Sequence, residues 1–195
     1  MTYLRHLYPA LAMAMLAPAA HAQTPAPGHL LVAAPELESQ MFAESVLLIV
    51  HHDDDGSLGI FVNRPTNLEP AGVFPDIAAL EAYEGALFLG GPIGPRQLLL
   101  LLRAPGGFGE DARAVFGDVY LSADPDVLTA LPAAGAQARV YAGHAAWGPG
   151  QLATEIAAGD WQIVRASADL VFARDPLELW ARISRVGAEL AVDAR

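Results

Sequence analysis

The chain has 195 residues, 53% hydrophobic and 17% charged, which fits one globular domain with a sizeable core and excludes a disordered tail. Its 11 basic residues are all arginine, cysteine is absent, and 22 acidic residues bring the net charge to −11. Without lysine there is no phosphate-loop lysine and no Schiff-base chemistry, and without cysteine there is no thiol nucleophile, disulfide, Cys-ligated zinc or iron–sulfur cluster.

Residues 1–22 read as a signal peptide: a short basic start (Arg5, His6), an apolar run from Leu11 to Leu16, and the small-x-small pattern Ala20-His21-Ala22. Cleavage is expected after Ala22, with a periplasmic or secreted destination. The apolar run falls short of the roughly 20 residues that cross a bilayer, and no transmembrane segment is expected in the mature chain. Removing the leader leaves 10 basic against 22 acidic residues, or −12. That surface repels phosphate backbones and argues against a nucleic-acid partner.

Residues 23–27 form a flexible lead-in, and 28–195 form one domain. In chain order, 29–35 (HLLVAAP), 45–52 (SVLLIVHH) and 58–65 (LGIFVNRP) read as strands. The second and third are joined as a hairpin through Asp55-Gly56. Two apolar runs flank a Gly/Pro break over 86–103, and 104–118 reads as a polar loop. Residues 119–131 begin as a strand and continue as a helix, capped by Ser122 or Asp124 with Pro125 in its first turn. A strand over 138–147 precedes a helix over 150–160, ended by Gly159. Residues 161–166 and 168–173 read as short strands. The spacing predicts an amphipathic C-terminal helix over 175–190, with Leu177, Trp180, Ile183 and Ser184 on one face. Strands dominate the first half and helices enter only in the second, which predicts an α+β fold with a largely antiparallel or mixed sheet.

Four stretches offer chemistry. Gly143 and Gly148 have phosphate-loop spacing, but Pro149-Gly150 stands where Lys-Ser/Thr is required. What remains is a turn, Trp147-Gly148-Pro149-Gly150-Gln151, leading into a helix whose first N–H groups can hold an anion or serve only as architecture. Asn63-Arg64 ends a strand and can present an amide and a guanidinium to an anionic ligand, or cap the strand. Gly90-Gly91-Pro92 can form an anion-binding nest or a sharp turn. These three segments are polar or glycine-rich ends of apolar runs and are expected to share one rim. The fourth is His51-His52-Asp53-Asp54-Asp55-Gly56. Adjacent strand residues face opposite sides, so His51 and His52 cannot hold one ion there. A calcium loop fails as well, because His51 and Val62 occupy positions that need acids. No metal and no cofactor are expected. A hydrolase-like or metal-assisted enzyme would have to gather His51 or His52, Asp53 and His144 in space.

The segments GHLLVAAPEL (28–37), MFAESVLLIVHHDDDGSLGIFVNRP (41–65), LGGPI (89–93), YAG (141–143), WGPGQLATEI (147–156), GDW (159–161) and VF with a later Trp (171, 172, 180) together resemble the YqgE/AlgH family of bacterial proteins. They run in family order over essentially all of 28–190. The resemblance implies a single compact domain with a mixed, mostly antiparallel bent sheet forming a pseudo-barrel and a few flanking helices. It implies no reaction, since the family has no established biochemical activity. Its transcriptional-regulator label, an alternative reading here, comes with no recognisable DNA-binding motif. Two features depart from the family: His144-Ala145-Ala146 separate Tyr-Ala-Gly from Trp-Gly, and the leader points outward where members are usually cytoplasmic. The sequence therefore predicts a non-enzymatic binding or accessory domain, exported, with a small anionic ligand or a protein as its partner.

Overall fold

Apolar runs become strands wherever glycine, proline or aspartate closes them. The computed structural model describes residues 24–185. The expected leader and cleavage site, and the end of the expected C-terminal helix, lie outside the described residues. Among the described residues there are nine strands: β1 (His29–Ala33), β2 (Val46–Asp53), β3 (Gly56–Phe61), β4 (Leu87–Leu89), β5 (Ile93–Arg103), β6 (Arg113–Phe116), β7 (Val119–Ser122), β8 (Gln137–Trp147) and β9 (Trp161–Arg165). The α-helices beside them are α1 (Pro70–Val73), α2 (Val127–Ala134), α3 (Gln151–Ala158) and α4 (Ala168–Val171), and residues 179–185 are helical, as expected for the C-terminal segment.

The strands form one sheet in the order β6-β7-β5-β8-β3-β2-β1-β9, with β4 added beside β8. Every named pairing is antiparallel except β4 with β8. The sheet curls into a half-barrel, giving the expected α+β domain. The curl is visible where distant strands meet: Arg113 on β6 donates to the Val50 carbonyl on β2 at 2.8 Å, although β7, β5, β8 and β3 lie between them in the sheet.

The bend sits in β8. Its residues 140–142 pair with β4 and, on the other side, with β5, while 145–147 pair with β3. Gly143, at the change of partner, has φ +73. The backbone of Gly90-Gly91 crosses there so closely that a Cβ on Gly90 would stand 2.0 Å from the Gly143 carbonyl oxygen. The three residues that depart from the family pattern, His144 to Ala146, are ordinary strand.

The five leucines of β5 are buried on both faces, as an unbroken apolar run requires. Leu99 and Leu101 face the inner core with Leu30, Leu48, Ile60 and Tyr141. Leu98, Leu100 and Leu102 face an outer layer with Leu80, Val127 and Val140. A third layer packs Leu31, Leu47, Ile49 and Phe61 against Trp147, Leu152 and Trp161.

Several expectations need correction. The hairpin turns at Asp54-Asp55, one residue early, because Gly56 pairs with Asp53. The expected loop over 104–118 contains β6, whose apolar stretch is too short to stand out. Residues 168–173 hold α4 in place of the expected strand, because Ser167 caps a helical turn by accepting from the Leu170 N–H. Helix α2 starts at Val127, with Asp126 at the N-cap position rather than Ser122 or Asp124, whose side chains accept from the N–H groups of Asp124 and Asp126 in the preceding turn. Leu177 is 69% exposed, because the segment begins as a 3-10 turn, Pro176–Glu178, and Leu179 is buried in its place; Ile183 is buried as the expected face requires.

Candidate functional site

Asn63 and Arg64 leave β3 and turn back to the 43–45 bend. Buried Asn63 accepts from the Val46 N–H and donates to the Glu44 carbonyl, both at 2.9 Å. Arg64 donates to the Ala43 carbonyl and lies over the Phe61 ring. Together they hold a bend in which Glu44 adopts φ +54. The bend delivers Phe42 to a point 5.5 Å from Phe61 and 5.8 Å from Trp161, ring centre to ring centre.

The turn into α3 satisfies much of its own backbone. The Gly148 N–H donates to Gln151 Oε1, and the Gln151 N–H donates to the Gly148 carbonyl, both at 3.1 Å. Two donors that an anion would use are therefore already engaged. Gly150 enters the helix with φ +72. The helix then projects Glu155 between two tryptophans. Trp147 Nε1 and Trp161 Nε1 each donate to Glu155 Oε2 at 2.8 Å, and Gln151 Nε2 donates to Oε1 at 2.9 Å. The two indoles meet edge to face at 6.2 Å.

These elements enclose a pocket of about 350 Å³, lined by Leu37, Ser39, Phe42, Pro92, Ala146, Trp147, Gln151, Glu155, Asp160 and Trp161. Pro92 comes from the Gly90-Gly91-Pro92 break, and Trp147 and Gln151 come from the turn into α3. Two of the three segments expected to share a rim thus meet here. Asn63 and Arg64 do not line the pocket and act from behind through the 43–45 bend. Gly90 and Gly91 serve the crossing at Gly143, while Gly148 and Gly150 shape the turn. Sequence reasoning misses Phe42, Glu155, Asp160 and Trp161 as site residues. Glu155 at i+4 from Gln151 is a signal available on the predicted helix, whereas Phe42 and Trp161 join it only through the fold. The charged side chains in the lining are acidic, opposite in sign to what an anionic ligand needs.

The alternative enzyme residues do not gather. Asp53 accepts from the exposed His51 ring at 2.7 Å and from the Asp55 N–H at 2.9 Å. Desolvation acts to raise the Asp53 pKa, but the hydrogen bonds from Asp55, His51 and Gly56 and the His51 charge outweigh it and hold the carboxyl below its ordinary value. His52 turns to the other face and bonds Ser57 Oγ at 2.7 Å. His51 stands opposite Leu58, and Leu58 opposite Ala146. His144 is therefore two strands and two residues from His51, about 12 Å by strand geometry. Among the described residues no three His, Asp or Glu are placed to hold a metal ion.

The regulator reading requires an arginine cluster from Arg64, Arg96, Arg103 and Arg113. Arg64 is committed to Ala43, Arg103 to Asp118 and Asp169, and Arg113 to Val50. A larger cavity of about 640 Å³ lies by the start of β4, lined by Tyr83, Phe88, Arg139, Arg174 and the 175–178 turn. None of the candidate residues reaches it.

Comparison with known proteins agrees with this architecture. A family model described as AlgH-like (DUF179) matches residues 30–191. A UPF0301 protein of Streptomyces coelicolor is 39% identical over 81% of this chain and 84% of its own length. One from Methylococcus capsulatus is 37% identical over 84% of this chain and 91% of its own. A crystal structure of a Corynebacterium diphtheriae protein superposes with a TM-score of 0.71 at 30% identity, covering 84% of this chain and 87% of that one. The solution structure of the AlgH protein from Pseudomonas aeruginosa gives 0.66 at 27% identity, covering 86% and 92%.

Proposed function

Because the chain belongs to the AlgH-like family, whose biochemical function is unknown, we propose that it is an exported, non-enzymatic binding domain whose recognition surface is the pocket between Pro92, Trp147 and Gln151. One observation carries the reading: segments far apart in the chain, each marked in the sequence by glycine and proline, converge on a partly enclosed cavity walled by aromatic rings. Concave, mostly apolar sites with a few fixed polar groups are the usual form of small-ligand sites. Here Glu155 and Gln151 are fixed by their own hydrogen bonds, so the polar groups are set before a ligand arrives. His51, Asp53 and His144 stand outside the pocket, which supports recognition rather than turnover.

Trp147 and Trp161 line the pocket and donate their indole N–H groups to Glu155, whereas that of Trp180 donates to the Ala33 carbonyl. NMR of the three indole signals during a screen of small molecules tests the proposal. At least one chemical class is expected to move the Trp147 and Trp161 signals saturably and leave Trp180 in place. A screen in which nothing does so, or in which only surface amides respond, overturns it.

A further inference from the structure

From the charge and walls of this pocket we infer a binding site for a small organic cation of the quaternary ammonium or guanidinium class. The inference rests on the reading of the pocket as the recognition surface and adds the charge of what is recognised. The ionisable lining residues are Glu155 and Asp160; no arginine or histidine faces them across the cavity. Neither forms an ion pair among the described residues, where the salt bridges involve Asp53, Asp118 and Asp169. Glu155 is held by three N–H donors, all neutral. Those bonds solvate and orient its carboxylate but leave its charge uncancelled.

The walls choose between kinds of cation. Phe42, Trp147 and Trp161 present aromatic rings, whose quadrupoles attract a cation that gives up its water easily. Hard metal ions instead need six or more oxygen ligands, and no triad of ligating groups is in place among the described residues. A guanidinium or an alkylated ammonium is weakly hydrated and suits an aromatic wall with a carboxylate behind it. The chain's charge of −11 draws such a ligand in at a distance.

The experiment titrates the full chain, at constant ionic strength, with choline, methylguanidinium, the neutral tert-butyl isostere of choline, and acetate. The indole signals of Trp147 and Trp161 are read against Trp180. A saturable shift with either cation is expected, with at most weak, unsaturated change from the isostere or acetate. Asp160→Asn removes one charge at nearly constant shape, and affinity should fall about fivefold, the weight of one ion pair near a surface. Phe42→Leu keeps the wall apolar without its ring and should also weaken the cation. An unchanged Trp180 signal and thermal melt show that either variant still folds. If the isostere or acetate saturates the same signals as tightly as the cations, the charge assignment is overturned while the pocket reading stands. If Asp160→Asn and Phe42→Leu both fold and bind the cations as the parent does, the inference is overturned as well. If no probe moves the indoles, the inference falls; the pocket reading falls only if the wider screen also fails.

Discussion

At the residue scale, the glycines divide into two kinds that look alike in the sequence. A Cβ on Gly90 would meet the Gly143 carbonyl oxygen at 2.0 Å, and one on Gly91 would meet the His144 carbonyl carbon at 2.1 Å. Neither contact can relax without moving β8. Gly150 has a left-handed backbone, φ +72, but nothing lies within 4 Å of its Cβ position. Gly90→Ala is therefore expected to destabilise by about 3 kcal/mol or more, as overpacking against fixed backbone does. Gly150→Ala should cost only the left-handed penalty of about 1 kcal/mol. Urea unfolding of the two variants measures the gap, and equal costs would remove the crossing from its structural role. Tyr141 makes a second residue-scale case. Its hydroxyl is buried without a partner among the described residues, and burial pushes its pKa up to about 12 against the opposing charge of Arg139. The folded state thus favours the protonated phenol. That contribution is fully present below pH 10, the ordinary tyrosine value, and is lost as pH rises towards 12, by up to about 1.4 kcal/mol per unit. Tyr141→Phe should cost little at neutral pH, because it removes only an unpaired buried hydroxyl. Denaturation curves across the alkaline range should be flatter for this variant, keeping the slope due to Tyr83, whose pKa burial also raises.

At the scale of elements, β8 organises the molecule by changing partners midway, and Arg139 near its start ties down the segment after β9. The guanidinium donates to the Val171 carbonyl at 2.6 Å and to the Ala173 carbonyl, and lies 4.6 Å from the Phe88 ring centre and 5.5 Å from that of Phe172. It holds the end of α4 and the residues just after it, while Arg103 at the end of β5 holds Asp169 on the same helical turn. Arg139→Met keeps much of the stem packing and strips the donors. A loss of about 2–3 kcal/mol is expected, together with faster amide exchange over 168–178 and little change in β1 or β2. Uniform acceleration across the sheet would contradict the tie. The same segment shows the limit of reading elements from sequence. Residues 168–173 have the composition of a strand, but the subtle Ser167 cap turns 168–171 helical, and Arg139, distant in the chain, holds the carbonyls of Val171 and Ala173. The strands β1, β2, β3, β5 and β8 are legible because each is a long apolar run closed by a breaker. β6 is not, since four residues give no periodicity to detect.

At the scale of the whole molecule, the α+β half-barrel is legible through the family resemblance, while periodicity alone supports only a mixed or antiparallel sheet. The closure of β6 towards β2 depends on contacts between residues more than 60 positions apart, which no local pattern encodes. The pocket is half legible for the same reason: glycine and proline mark where the chain turns, so Pro92, Trp147 and Gln151 are visible, but the wall supplied by Phe42 and Trp161 and the sign of the charge emerge only on folding.

Export is the remaining whole-molecule expectation, and its argument is physical. The signal-peptide reading rests on the apolar run Leu11–Leu16, which with its flanking Ala10 and Ala17 matches the length of a secretory core and falls short of the roughly 20 residues that anchor in a bilayer. Alanine at 20 and 22 fits the small pockets of a signal peptidase. The chain carries no cysteine, so an oxidising compartment neither staples nor misoxidises it. Expression of the full chain in a bacterium, followed by cell fractionation and intact mass measurement, should place a product beginning at Gln23 outside the inner membrane. Ala22→Leu should block cleavage and leave the uncut precursor at the membrane. A full-length product in the cytoplasm, equally abundant with and without residues 1–22, would return the protein to an intracellular role and with it reopen the range of ligands the acidic pocket could meet.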